Sequence, residues 1–201
     1  MTSDDAPVIG IVLFDDAEEL DFVGPWEVLT SMCAITKRGR VLTIAQEARP
    51  IRCAKGMRVV PDATFADAPP LDVVLVPGGQ GTRQEVSNPL LIDWLRDVGA
   101  RCRFVTSVCT GALLLHEAGF AKGKRVTTHW AFVAQLRERA DIEVLDGPRY
   151  VRDGNLVTAA GVSAGIDMAL WLVGQLHTPQ LARDVQRYIQ YDPAPPYAAE
   201  V

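Results

Sequence analysis

The chain has 201 residues, 48% of them hydrophobic and 22% charged, with a formal net charge of −5 at pH 7. This composition is that of an ordinary globular protein, and the length is enough for one sizeable core, read here as a single domain over residues 1–201. The acidic balance gives no basic footprint for nucleic acid, no apolar run approaches the roughly 18 residues of a membrane helix, and the start M-T-S-D-D-A-P lacks the regions of a secretory signal.

Residues 8–14, V-I-G-I-V-L-F, form a near-continuous apolar run, the pattern of a strand buried on both faces. An acidic segment follows, then Asp21, then residues 22–32, which read as a helix with Pro25 in its first turn. Residues 41–45 and 59–60 are strand candidates around a loop holding Cys53 and Gly56. Residues 73–76 make another apolar strand, stopped by Pro77-Gly78-Gly79. Asn88-Pro89 is a cap and first-turn pair for a helix running through Val98. Phe104, Val105 and Val108 give a short buried strand, followed by Cys109, Thr110, Gly111 and a helix of A-L-L-L type to about Gly119. A short strand at 125–128 precedes a helix at 130–139. Residues 150–152 and 156–159 flank Asp153-Gly154-Asn155, a hairpin signal. Residues 163–176 and 178–191 read as two further helices, the second opened by Thr178 and Pro179, and the tail P-A-P-P-Y is extended. Apolar strands alternating with helices predict an α/β fold, a mostly parallel sheet with helices on both faces. Sites in such sheets lie beyond the carboxyl ends of the strands. The acidic loop after Phe14, the glycines after Val76, and Cys109 all fall there.

Strand, sharp turn and helix, with a sulfur at the corner, follow the logic of a nucleophile elbow. The flanking Ser107 and Gly111 are small, as a tight corner requires. The free N–H groups and dipole of a helix start lower the pKa of a thiol placed there. The plainer reading is a buried structural thiol, and Cys33, Cys53 and Cys102, which lack the elbow context, take it. Pro77-Gly78-Gly79-Gln80-Gly81 is either a simple turn or a source of N–H groups that converge with that of Thr110 into an oxyanion-hole-like pair. No G-x-x-x-x-G-K-[ST] is present, which excludes a P-loop. Asp21 is either the cap of the helix after it or a carboxyl directed at Cys109. In the second case each negative charge raises the pKa of the other, and the pair works as thiolate plus protonated acid sharing one proton. His129, after Thr127-Thr128, is the one histidine placed to approach the site, although a satisfied, non-catalytic histidine fits equally. His116, inside a helix, and His177, at a helix end where a cation suits the dipole, are not candidates. The four cysteines form no C-x-x-C pair, which suits a reducing cytoplasm, and no His–Cys cluster has zinc-ligand spacing.

With these residues in view, the chain resembles the ThiJ/PfpI superfamily, a class I glutamine amidotransferase-like group whose nucleophilic cysteine sits on a strained elbow of a flavodoxin-like sheet. The resemblance runs from about Val8 to Tyr197. It rests on L-D-F-V-G-P-W-E-V-L, L-D-V-V-L-V-P-G-G, V-T-S-V-C-T-G-A-L-L-L, V-T-T-H-W, V-R-D-G-N-L-V-T-A-A-G and Y-D-P-A-P-P. Within the superfamily the pattern is closest to the isonitrile hydratase branch, while amidase-like sensor domains of some transcription regulators share several of these stretches. The resemblance implies that Cys109 is the nucleophile, Asp21 its acid/base partner and Thr110 an active-site neighbour. It implies that backbone N–H groups of Gly78, Gly79 and Thr110 line the site, and that Ser163, Ala164 and Gly165 form a loop close to the cysteine. It also implies a homodimer that acts on a small-molecule substrate without cofactor or metal. Protease-like members carry a histidine after the cysteine; Thr110 stands there instead, so their triad cannot form and peptidase activity is discounted. Hydratase-type chains can run on past the P-A-P-P segment, whereas this sequence ends at Val201, which bears on any C-terminal contribution to dimer or site.

The activity so implied is the hydration of an isocyanide, R–N≡C, to an N-substituted formamide through a covalent thioimidate on Cys109, a lyase reaction. Substrate groups are expected to pack against Trp130 or Trp26, indoles that fit a core equally well. Two other readings share the site: a sensor that binds a metabolite or is oxidised at Cys109, and a glyoxalase- or deglycase-type enzyme. A regulator needs a DNA-binding segment, and nothing beyond Tyr191 is long enough to hold one.

Overall fold

The apolar runs of the sequence line up side by side in one seven-stranded sheet. A computed structural model of the chain describes residues 6–193. In chain order its strands are β1 (Val8–Val12), β2 (Arg40–Ala45), β3 (Ile51–Arg52), β4 (Arg58–Val59), β5 (Ala63–Thr64), β6 (Val73–Val76), β7 (Phe104–Val108), β8 (Arg125–Val126), β9 (Glu143–Val144), β10 (Tyr150–Asp153) and β11 (Leu156–Ala159). The helices are α1 (Glu19–Thr36), α2 (Thr82–Glu85), α3 (Pro89–Gly99), α4 (Gly111–Glu117), α5 (Val133–Arg137), α6 (Ala164–Leu176) and α7 (Pro179–Tyr188). The sheet order is β10-β11-β7-β6-β1-β2-β5. Every pairing in it is parallel except that of β10 with β11. Helices α1, α6 and α7 pack together as one layer, and α2, α3 and α4 as another.

The sheet centre is apolar on both sides because helices cover both faces. All four residues of β6, V-V-L-V, are fully buried, and burying each side chain contributes roughly 1.5–3 kcal/mol. The strand at 73–76, the helix capped by Asn88 and the hairpin around Asp153-Gly154-Asn155 stand where the sequence puts them. Asn88 Oδ1 accepts the N–H of Leu90 at 3.1 Å, and Tyr150 to Asp153 pair with Ala159 to Leu156. Thr178 caps α7 in the same manner, its hydroxyl accepting the N–H of Leu181 at 3.1 Å.

Other expectations are corrected. Helix α1 begins at Glu19, so Asp21 and Pro25 lie inside it, neither at its cap nor in a Pro-led first turn. Pro25 has no N–H to offer the carbonyl of residue 21, and the packing of Phe22, Val28, Leu29 and Met32 carries the helix through that gap. The strand expected at 59–60 is the second arm of the small β3–β4 hairpin, with Val60 exposed, and β5, too short and too little apolar to read as a strand, forms the sheet edge. The segment 125–128 is a strand only at β8, which pairs with β9 outside the main sheet. Residues Trp130–Phe132 form a single 3-10 turn before α5. The tail from residue 194 onward lies outside the described residues. No helix among the described residues is long and apolar enough to cross a membrane.

Candidate active site

β7, β6 and β1 are neighbours, so the chain leaves their carboxyl ends at three adjacent points. From β7 it enters Cys109 in the left-handed region, at φ 57°, and then turns into α4. A non-glycine residue held there costs on the order of 1–3 kcal/mol, so its surroundings must fix it. They do so from two sides. The N–H of Cys109 donates to the carbonyls of Ala160 at 2.6 Å and Ala159 at 3.1 Å, and its own carbonyl accepts the Thr128 hydroxyl at 2.8 Å. Gly111 must be small: a Cβ there would fall against the carbonyl oxygen of Val76.

The carboxyl of Asp21 reaches the same point from α1. Asp21, Pro25, Val28 and Met32 follow the spacing of one helix face, the buried one, so the helix carries a carboxyl group into the core with its apolar stripe. Asp21 is fully buried. Its Oδ2 accepts the N–H of Gly78 at 2.8 Å, while Oδ1 has no hydrogen-bond partner among the described residues. Burial, helped by the charge of Glu18, pushes the carboxyl up to about 7, against the opposing pull of the Gly78 N–H, the Cys109 thiol and the Val162 N–H. Burial, and after it the charge of Asp21, pushes the Cys109 thiol up to about 12, although the N–H and hydroxyl of Thr110 pull the other way. The expectation of a thiol lowered by the helix start is thereby corrected. α4 is a seven-residue helix, and its dipole is outweighed by removal from water beside a carboxylate. Of the mutual rise expected of a close thiol–carboxyl pair, one half is present: the charge of Asp21 raises Cys109, whereas the Cys109 thiol, as a hydrogen-bond donor, lowers Asp21.

Thr110 sits at the junction of three segments. Its hydroxyl accepts the N–H of Gly79 at 3.0 Å and lies 3.1 Å from the Thr82 hydroxyl. Gly79 has φ +118°, and a Cβ there would run into the backbone of the loop after β1. The N–H groups of Gly78 and Gly79 are therefore engaged, by Asp21 and Thr110, and do not converge as free oxyanion donors. They hold the acid and the threonine in place instead.

A cleft of about 240 Å³ opens over Cys109, whose residue is 7% exposed. Gly79, Thr110 and His129 line it together with Glu18, Arg83 and Phe132. His129 packs its ring on Gly161, and its Nδ1 accepts the N–H of Ala131 at 3.3 Å, which leaves the proton of the neutral ring on Nε2. Trp130 is 76% exposed and, like Trp26, is not a lining residue, so neither indole is the expected apolar wall. Phe132 supplies that wall. Ser163, Ala164 and Gly165 form the cap and first turn of α6 rather than a loop. The Ser163 hydroxyl accepts from Arg149 at 3.2 Å, Ala164 is buried, and Gly165 packs between Val108 and Pro25. The residue of this segment that does line the cleft is Val162, a β-branched residue at φ 51°.

Val162 escapes a reading of the sequence because it carries no catalytic group, and Arg83 because it stands in no motif that marks it. Val162 had one signal, its place directly after Gly161. His116 is bonded through Nε2 to Asp141 at 2.7 Å, away from the site. His177 is held below its ordinary pKa by burial and by Arg38 and Arg103, so the cationic form expected at that helix end is disfavoured. Among the described residues no three His, Cys, Asp or Glu side chains gather as a metal site. All four cysteines are free thiols.

Comparison with known proteins places this geometry in context. The DJ-1/PfpI family profile matches residues 8–175. The isonitrile hydratase of Pseudomonas putida is 42% identical over 189 residues, 94% of this chain and 80% of its own length. Protein DJ-1alpha of Drosophila melanogaster is 29% identical over 184 residues, 88% of this chain and 81% of its own. Among solved structures, a ThiJ/PfpI family protein from Pseudomonas syringae superposes with a TM-score of 0.88 at 34% identity, covering 97% of this chain and 79% of the other.

Proposed function

The chain belongs to the DJ-1/PfpI family, and from that premise we propose that it is an isonitrile hydratase, a cysteine-dependent lyase that adds water to R–N≡C. The observation that carries the reading is the pairing of the fully buried Asp21 with Cys109, which lines the cleft, two acids whose elevated pKa values leave them one proton to share. The likeness to the Pseudomonas putida isonitrile hydratase favours this reaction over others open to the same pair.

An isocyanide carbon accepts a nucleophile and then needs a proton, and the singly protonated pair supplies both. Sγ of Cys109 bonds to the terminal carbon while Asp21 delivers the shared proton to that carbon, giving the thioimidate R–N=CH–S and a carboxylate. Water then adds across C=N, its oxygen to carbon and one proton, relayed by Asp21, to nitrogen. The carbon–sulfur bond breaks as the new hydroxyl becomes the formamide carbonyl, and its proton returns to the pair. The products are R–NH–CHO and the starting enzyme, with no net redox change. Gly78 fixes the acid through its N–H, and Thr110 offers its N–H and hydroxyl to the sulfur. A cytoplasmic homodimer belongs to the same proposal; light scattering is expected to give twice the chain mass, and a single-chain mass would contradict its dimeric part.

Turnover followed by loss of the N≡C infrared band, with formamide quantified by NMR, tests the reaction. Wild type is expected to consume cyclohexyl or aromatic isocyanides, and Cys109→Ser to lose at least about 1,000-fold in kcat. Equal rates in the two proteins overturn the reading.

A further inference from the structure

The cleft has two charged lining residues, and they are not equivalent. Glu18 is ion-paired with Lys55. Arg83 has no carboxylate within ion-pair distance among the described residues, although it stands on α2 at the cleft edge. Its hydrogen bonds to described residues all run through Nη1, to the Gly79 carbonyl at 2.9 Å, the Thr82 hydroxyl at 3.1 Å and the Thr110 hydroxyl at 3.3 Å. Its guanidinium lies over the Phe132 ring, with Cζ 4.7 Å from the centroid.

Nη1 is thus anchored and the group rests on an aromatic plate, while Nη2 and Nε keep their donors. A guanidinium fixed in this manner loses little further freedom when it meets a planar anion, and its fork matches a carboxylate. Thr110 links it to the nucleophile: the hydroxyl that Nη1 reaches belongs to the residue directly after Cys109. A ligand bound to both groups is therefore short. We propose that Arg83 is a specificity-determining residue, selecting isocyanides that carry a carboxylate a few bonds from the isocyano group. This rests on the hydratase reading for the reacting group, but the anion site itself does not need it.

Two measurements separate the layers. The first compares kcat and KM for isocyanoacetate and its methyl ester, in wild type, Arg83→Gln and Arg83→Lys. Wild type is expected to show a KM at least ten-fold lower for the acid. That ratio should fall to about one in Arg83→Gln and be partly kept in Arg83→Lys. A wild-type ratio near one overturns the inference and leaves the hydratase reading standing. Equal losses for acid and ester in both variants also overturn it, because they mark Arg83 as a mere support for Thr110. The second measurement alkylates Cys109 with iodoacetate or iodoacetamide and reads the Cys109 peptide by mass. A rate ratio shifted toward iodoacetate in wild type and lost in Arg83→Gln supports the anion site even where no isocyanide is consumed. No shift in wild type overturns it.

Discussion

At the scale of single residues, the chemistry depends on two groups that burial has moved in the same direction. Asp21 sits near 7 instead of the ordinary carboxylate range, and Cys109 near 12. The fully protonated pair has no nucleophile, so activity requires the loss of one proton. With both values raised, that loss occurs at the lower of them, and kcat/KM should rise through about pH 7 and then level. At pH 5 the rate should be about 100-fold below the plateau, two pH units under the inflection. Asp21→Asn should abolish the inflection near 7 as well as most of the rate. A profile in wild type that is flat from pH 5 to 8 contradicts the shared-proton account. Cys109 was legible in the sequence because strand, small residues and helix formers surround it. Asp21 was legible as one of two options, and the deciding fact, its place on the buried stripe with Pro25, Val28 and Met32, depends on a helix that starts at Glu19. Which direction the thiol's shift takes stays open in the sequence, down from the helix start or up from a neighbouring carboxyl. It depends on how much water the packed loops exclude, and no local motif records that.

At the scale of elements, the site is the meeting of three strand ends, and the spacing between β6 and β7 sets it. Gly111 lies against the Val76 carbonyl, so Gly111→Ala must push α4 away from β6. We expect a loss of about 1–3 kcal/mol or more, read as a lower urea midpoint. Activity should fall further than stability alone explains, because Cys109 moves with the helix. An unchanged midpoint would mean that the elbow is not tightly packed. The α/β alternation made the strands readable at 8–14, 73–76 and 104–108, since buried parallel strands are apolar throughout. β5 and β8 were misjudged because two-residue strands carry no period. The helix start at Glu19 was missed because charged residues at a first turn look like loop, although an acidic first turn suits the dipole. The loop called for at 163–165 is the start of α6, and the functional contact moved one residue upstream, to Val162. Its backbone is left-handed, at φ 51°.

At the scale of the whole molecule, the site is held at the expense of stability. Asp21 has a folded pKa near 7 against an ordinary 3.8, so between these values the folded chain holds a proton that the unfolded chain has released. Stability contributed by this group therefore falls as pH rises from about 4 to about 7, and the full penalty remains above that. Asp21→Asn should raise Tm at pH 8 by at least about 3 °C, the change that roughly 1 kcal/mol gives in a chain of this size, and by much less at pH 4. A lower Tm at pH 8 would mean that the carboxylate stabilises the fold. The molecule as a whole thus spends fold stability to keep an acid beside a thiol in a cleft, and the covalent bond to Cys109 is the event this arrangement serves. The most direct test is the intact mass of wild-type protein mixed rapidly with an isocyanide and quenched in acid, with the modified peptide sequenced. The account predicts a mass increase equal to one isocyanide, located on Cys109 and absent from Cys109→Ala. Isocyanide consumed with no adduct, or an adduct on Cys33, Cys53 or Cys102 alone, would contradict it.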